Sequence, residues 1–436
     1  MARNIVPRTD KGADLGTPAK KWNTVYADSI IANNVQGENL KAIEQSAGDE
    51  ITLRLLIANA GSTPMSITVY DDIPITDDLI VPENIELVFK RGGKLSVSAT
   101  KTLTINGPVS AGPYQVFSGD GVITGTPKVE SIRIEWFGAV GDGVTDSTNA
   151  IQTACDLAEI EGTEWVQGVK PKVSGGPGEY LISETIHIKS ACDLSQVKIL
   201  ADGTTINPAV RIGYNEGGKW LSTVEINAPV VMNYKNGVRV NSWAGTGIGI
   251  DLCNLDQCKV YVPWINGFRI GLQCCGYYEG FAYNYVQIGI IDYAQICLKL
   301  TRVSDGSNVG WCNENTFENG RFIARALGTD WTGTRNILIE QGNNNLFLKP
   351  SVESASVEYC MEFVRASCCT FLNGRYEGVG AKRILFNPTK SNGVDSLLFI
   401  GGYQPEGLSF TNNTAYPAID TQVLSRYPYL GYEVGV

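Results

Sequence analysis

The chain has 436 residues and a net charge of −10, with only 18% of its residues charged against about 25% in an average soluble domain. An acidic chain of this kind argues against a nucleic-acid or anionic-membrane partner, where Lys and Arg must neutralise phosphates. The opening MARNIVPRTD lacks the apolar stretch of a signal peptide, and no run reaches the roughly 18 apolar residues of a membrane span.

Residues 1–48 are mixed and polar, with Asn33 to Gln45 as the best short helix candidate. Between 49 and 127 come short apolar runs cut by Gly, Pro, Asn and Asp. Leu79 to Val81, Ile85 to Phe89, Leu95 to Val97 and Leu103 to Ile105 have the cadence of many short strands. A single helix is expected over 146–162. Asp146 or Ser147 can cap it, Ala150, Ile151, Ala154, Leu157 and Ala158 make an apolar face, and Gly162 can end it. One helix in a β-rich chain suggests a lid over the open end of a solenoid.

From about residue 180 a loose repeat sets in. NTFENGRFIA, NLFLKPSVES, CTFLNGRYEG and LLFIGGYQPE place Phe317, Phe347, Phe371 and Phe399 at spacings of 30, 24 and 28, each followed three residues later by Gly320, Pro350, Gly374 or Gly402. CKVYVPWING and NYVQIGIIDY are weaker copies. A period of this length means a repeat architecture. The expected coil stacks each short strand on its predecessor at ~4.8 Å, Phe on Phe in the core, with Gly or Pro turning the chain onto the next sheet. The 11 Cys lack regular spacing and read mostly as buried reduced thiols, small hydrophobes of a protein folded in a reducing cytosol.

Registering the repeats by Phe puts Glu353 and Glu377 on successive coils, one above the other. Two carboxylates about 5 Å apart would raise one another's pKa, and so could serve as acid and nucleophile or base of a glycosidase. Arg375, Tyr376 and Arg321 lie near in register. Trp331 and Asp330, with Asp305 and Glu314, fall in longer insertions suited to a binding loop. Trp243, Asp251, Asp256, Trp264, Glu279, Tyr283 and Asp292 crowd the middle third, where aromatic faces can stack on sugars and carboxylates can bond hydroxyls. The only His, His187, sits in an alternating strand, too isolated for a metal site. Asp142 and Asp146 read as a turn and a helix cap.

Two stretches carry a resemblance. VPENIELVFKRGGKLSVSATKTLTINGPVSAGPYQVFSGDG at 81–121, with IEWFGAVGDGVTDSTNAIQTA at 134–154 and PGEYLIS at 177–183, is similar to the opening of pectate-lyase-like parallel β-helices in bacteriophage tailspikes. IVPRTDKGADLGTPAKKWNTVYADSI at 5–30 resembles the virion-proximal module of phage tail fibres and spikes. The resemblance implies an all-β, right-handed parallel β-helix with one capping helix, assembled as a homotrimer.

It divides the chain into a virion-attachment segment (1–48), opening coils and capping helix (49–165), the main β-helix (166–410) and a C-terminal tail (411–436). It implies a virion tail appendage, folded in the host bacterial cytoplasm and released by lysis. Residues 1–48 would join a tail or baseplate protein. The spike would recognise and degrade a bacterial surface polysaccharide without a cofactor, glycosidase ahead of lyase. On this reading Glu353 and Glu377 are catalytic, and Arg375, Tyr376, Trp331 and Asp330 bind the polysaccharide. The same scaffold also serves non-catalytic adhesins, adaptors and decoration spikes, and the short tail after 410 favours that alternative.

Overall fold

A computed structural model of the protein describes residues 45–162, 170–243, 245–305, 307–354, 357–378, 383–389, 393–403 and 408–412, and the backbone of Gln422–Leu424 and Tyr432–Glu433. The attachment segment up to residue 44, and with it almost all of the helix expected at 33–45, lies outside the described residues, as does most of the tail after 412.

The opening coils follow from strict alternation. In Ile85–Phe89, Ile85, Leu87 and Phe89 are buried and the residues between them are not. Met65–Val69 and Ile85–Phe89 pair in parallel, as do Asp72–Ile75 with Lys94–Val97 and Leu79–Val81 with Thr102–Ile105. All four sequence-predicted strands of this region are present.

One element there overturns expectation. Residues Glu50–Ala60 form a helix, α1, so the described residues hold two α-helices and not one. Asp49 accepts the Thr52 N–H at 2.8 Å as N-cap, Arg54 bridges back to Glu50 at 2.6 Å, and Gly61 ends the helix. The apolar positions mislead: Ile51, Leu53 and Leu55 alternate as in a strand, yet Ile51 and Leu55 are exposed while Leu53 and Ala60 are buried. The cap and the spacing of Leu53, Leu56, Ile57 and Ala60 decide for helix. This helix covers the start of the opening core.

The expected lid, α2, spans Thr148–Leu157, shorter than 146–162. Asp146 takes the Thr148 N–H at 2.9 Å and the Ser183 hydroxyl at 2.6 Å, while Asp142 closes the preceding turn on the Val144 and Thr145 amides. These bonds hold both carboxyls below the ordinary aspartate value, against partial burial in the case of Asp146. Ile151, Ala154, Leu157 and Ala158 are buried at the head of the main core.

That core runs through a parallel β-helix of three sheets with nineteen, nine and seven strands among the described residues. The long sheet bends into two faces. The corner is marked by the register column Pro263, Gly289, Gly320, Pro350, Gly374 and Gly402. At two of these positions backbone approach excludes a side chain: a Cβ on Gly402 would stand 2.1 Å from the Gly374 carbonyl, and one on Gly289 2.1 Å from that of Pro263.

Inside the first face the four Phe residues stack as their spacing predicts. Phe317, Phe347, Phe371 and Phe399 are in register on successive coils, with ring centroids 5.0, 4.4 and 4.9 Å apart. At another corner Asn284, Asn315 and Asn345 form a buried ladder. The backbone and side-chain nitrogens of Asn284 donate to Asn315 Oδ1, and those of Asn315 to Asn345 Oδ1, each at 3.0 Å. All Cys are free and all but Cys368 are buried. Burial pushes those ten thiols up, to about 12 in Cys192 and Cys258, which keeps them protonated and unreactive.

Candidate functional site

The second face of the long sheet points two columns of side chains away from the core. One column reads Trp264, Ile290, Arg321, Ser351, Arg375, with Tyr403 bridged to Arg375 one coil further on. Beside it run Asn266, Asp292, Ile323, Glu353 and Glu377. Five rung intervals of ~4.8 Å make this flank about 24 Å long. The strand periodicity puts the neighbouring residues Ile265, Phe322, Val352 and Tyr376 inside, all buried.

The charges along the flank are laddered. Arg321 bonds Glu353 at 2.8 Å and Arg375 bonds Glu377 at 2.8 Å. Ser351 donates to the other Glu353 oxygen at 2.7 Å. Partial burial pushes the Glu353 carboxyl up, but the Ser351 hydroxyl and the two guanidiniums outweigh it and hold it below the usual glutamate value. At the near end Asp292 accepts from Trp264 Nε1 at 3.1 Å and from Asn266 Nδ2 at 2.5 Å, and the Arg239 guanidinium lies 4.6 Å from the Trp264 ring centre. A rigid row of planar rings, guanidiniums and carboxylates at fixed spacing can hold an extended chain of hydroxyl-bearing units.

The expected site residues divide. Glu353, Glu377 and Arg375 stand together on this flank, and Glu353 is the direct register partner of Glu377. Tyr376 does not join them. Its ring is 2% exposed, because it falls on the inward phase of Arg375–Glu377 and stacks in register on Val352. Its place in a binding surface is therefore corrected to the core, where burial pushes its hydroxyl pKa far up. Trp331 and Asp330 are exposed in the loop that follows strand Thr316–Ala324. This loop is pinned by Trp243 Nε1 on the Arg325 carbonyl at 2.6 Å, and Asp330 closes a turn on the Thr332 amide at 3.0 Å.

The middle-third candidates scatter. Asp251 is fully buried on the nine-stranded sheet, bonded to Arg211 at 3.1 Å, Gln273 at 3.0 Å and Tyr277 at 3.0 Å. Asp256 is buried on the seven-stranded sheet, and that burial pushes its carboxyl up. Tyr283 pairs with Glu314 and Glu279 takes the Gly218 amide, both away from the flank. His187 is half-buried in register with Arg211. Burial, then Arg211 and Lys189, push its imidazole down, so it is neutral near pH 7. The sequence reading overlooked Tyr403, whose Gly-Gly-Tyr setting hides its register with Arg375. Among the described residues no group of His, Cys, Asp and Glu could hold a metal ion. No helix among them is long and apolar enough to cross a membrane.

No protein-family model matches the chain, and no curated protein matches it. Among solved structures it is similar to ORF18 of Geobacillus virus E2, with 14% identity and a TM-score of 0.36 over 70% of this chain and 63% of that one. It is also similar to the Dettilon tailspike protein (gp208), with 12% identity and a TM-score of 0.35 over 87% of this chain and 65% of that one. The match thus spans less than two thirds of either structure's length.

Proposed function

We propose that the chain is a subunit of a trimeric virion spike whose outer flank binds a bacterial surface polysaccharide. The observation that carries the binding reading is the single outward face joining Trp264, Asp292, Arg321, Glu353, Arg375, Glu377 and Tyr403 in two columns. The motif resemblance at 5–30 and 81–154 supports the virion setting, with residues 1–48 as the attachment to a tail or baseplate protein. The test is adsorption of purified protein to the host and to a mutant lacking its surface polysaccharide. Adsorption to the first alone is the expected result. Equal adsorption to both would sink the reading.

Cleavage is a second reading, favoured by the register pairing of Glu353 with Glu377. The ion pairs weigh against it, because a general acid must hold a proton near neutral pH and Glu353 is held ionised. Product assays decide. New reducing ends that disappear in both Glu353→Gln and Glu377→Gln would establish a glycosidase. Reducing ends accompanied by absorbance from unsaturated uronic acids would mean a lyase. Binding without either product is the outcome the ladder predicts, and it leaves a non-catalytic adhesin.

The homotrimer rests on the other face of the long sheet. Leu346, Leu348, Leu372, Leu398 and Ile400 flank the inward Phe residues and so point outward over three coils, with Thr370 in register between Leu346 and Leu398. A flat apolar ladder is suited to burial against two other copies. The double variant Leu372→Asp/Leu398→Asp should elute as a 47.2 kDa monomer where the natural chain elutes at three times that mass. Light scattering after gel filtration checks it, and an unchanged trimer would remove this face from the interface.

A further inference from the structure

A separate cleft lies on the corner between the nine- and seven-stranded sheets. Leu300, Ile339 and Phe363 are register partners on three successive coils. Two residues further along each coil come Arg302, Gln341 and Arg365, which therefore stack in one column just before the turn. The two arginines are two rungs apart, about 10 Å between backbones, with Gln341 between them. Their side chains line one cleft of about 230 Å³, together with Gly342 and Ser367.

No carboxylate is among its described lining residues. Elsewhere Arg54, Arg321 and Arg375, and the buried Arg335, each hold a carboxylate within 3.0 Å. Among the described residues the one hydrogen bond of Arg302 is to the Gly310 carbonyl at 3.3 Å, and burial and the charge of Arg365 both push the Arg302 guanidinium down. Two like charges thus face one cleft with no carboxylate partner among the described residues, in a chain whose net charge is −10. An anion placed between them would relieve the repulsion, and a planar carboxylate matches the guanidinium fork better than a point charge does. The Gln341 amide lines the same cleft, the Ser367 hydroxyl donates to Asn343 Oδ1 at 3.0 Å and can still accept from a sugar hydroxyl, and the cleft volume suits one sugar ring.

We propose that Arg302 and Arg365 form a subsite for the carboxylate of an acidic sugar, so that the polysaccharide bound by this protein carries uronic-acid-type units. The inference rests on the polysaccharide-binding reading and names the ligand's charge.

The probe is trigalacturonate, measured by titration calorimetry on the full chain, beside its carboxyl-reduced counterpart. Saturable binding of the acid, at least tenfold tighter than the reduced sugar, is expected. Arg365→Gln and Arg302→Gln should each weaken it tenfold or more, and added salt should weaken it in the natural chain. Lys128→Gln, which removes an exposed ion pair with Glu83 on the opening coils, should leave it unchanged. Equal affinity for the acid and its reduced form, full affinity in Arg365→Gln, or no binding of trigalacturonate by folded protein would each overturn the subsite. Adsorption to host cells separates the two ideas. A protein that adsorbs through the polysaccharide but is indifferent to carboxyl reduction keeps the binding reading and loses this one.

Discussion

Phe371→Ala should lower stability by about 3–5 kcal/mol, the cost of removing a buried aromatic side chain and leaving its cavity. Phe371 is 1% exposed and sits between Phe347 at 4.4 Å and Phe399 at 4.9 Å, with Phe363 edge-on at 5.7 Å. Truncation therefore removes three ring contacts at once, beyond the transfer term of one side chain. Repair by local collapse is restricted, because the rings above and below are fixed by parallel ladders on both sides. Phe317 provides the comparison. It ends the column with one stacked neighbour, at 5.0 Å, so Phe317→Ala should cost less. Urea unfolding of the three proteins measures both changes. A midpoint for Phe371→Ala equal to the natural chain's would refute the stacked register.

The Phe column was legible in the sequence because a parallel β-helix superposes equivalent residues of every coil. A regular chemical mark at irregular spacing is then enough to set the register, since extra residues leave as loops. The same register placed Glu353 over Glu377. It did not tell inward from outward for Tyr376, because a one-residue difference reverses the face, and a Tyr is at home on either. The helix Glu50–Ala60 was hidden for a related reason: Ile51, Leu53 and Leu55 follow a strand's period, and only the Asp49 cap and the spacing of Leu53, Leu56, Ile57 and Ala60 reveal the helix. The scatter of Asp251, Asp256 and Tyr283 was illegible, since closeness along the chain says little when one coil visits every face.

The Asn ladder gives Asn284, Asn315 and Asn345 a buried role at a corner of successive coils. Asn315 Oδ1 accepts from the backbone and side chain of Asn284, and its own nitrogens reach Asn345 Oδ1 and the Phe281 carbonyl, the latter at 3.0 Å. An isosteric Asn315→Leu keeps the volume and removes the side-chain bonds, while the Asn315 N–H to Asn345 Oδ1 and the Asn284 Nδ2 to the Leu255 carbonyl remain. It strands the Asn284 backbone N–H where no water reaches, since Asn284 is 2% exposed. A stranded buried group costs about 1–3 kcal/mol, so the variant should lose about that much. The exposed Asn343→Ala should lose under about 1 kcal/mol. Thermal and urea unfolding of the pair check the contrast. If both variants fall equally, the corner is held by the backbone ladders alone. If only Asn315→Leu falls, the polar column fixes where each coil turns, and through that corner the phase of the outward residues on the second face of the long sheet.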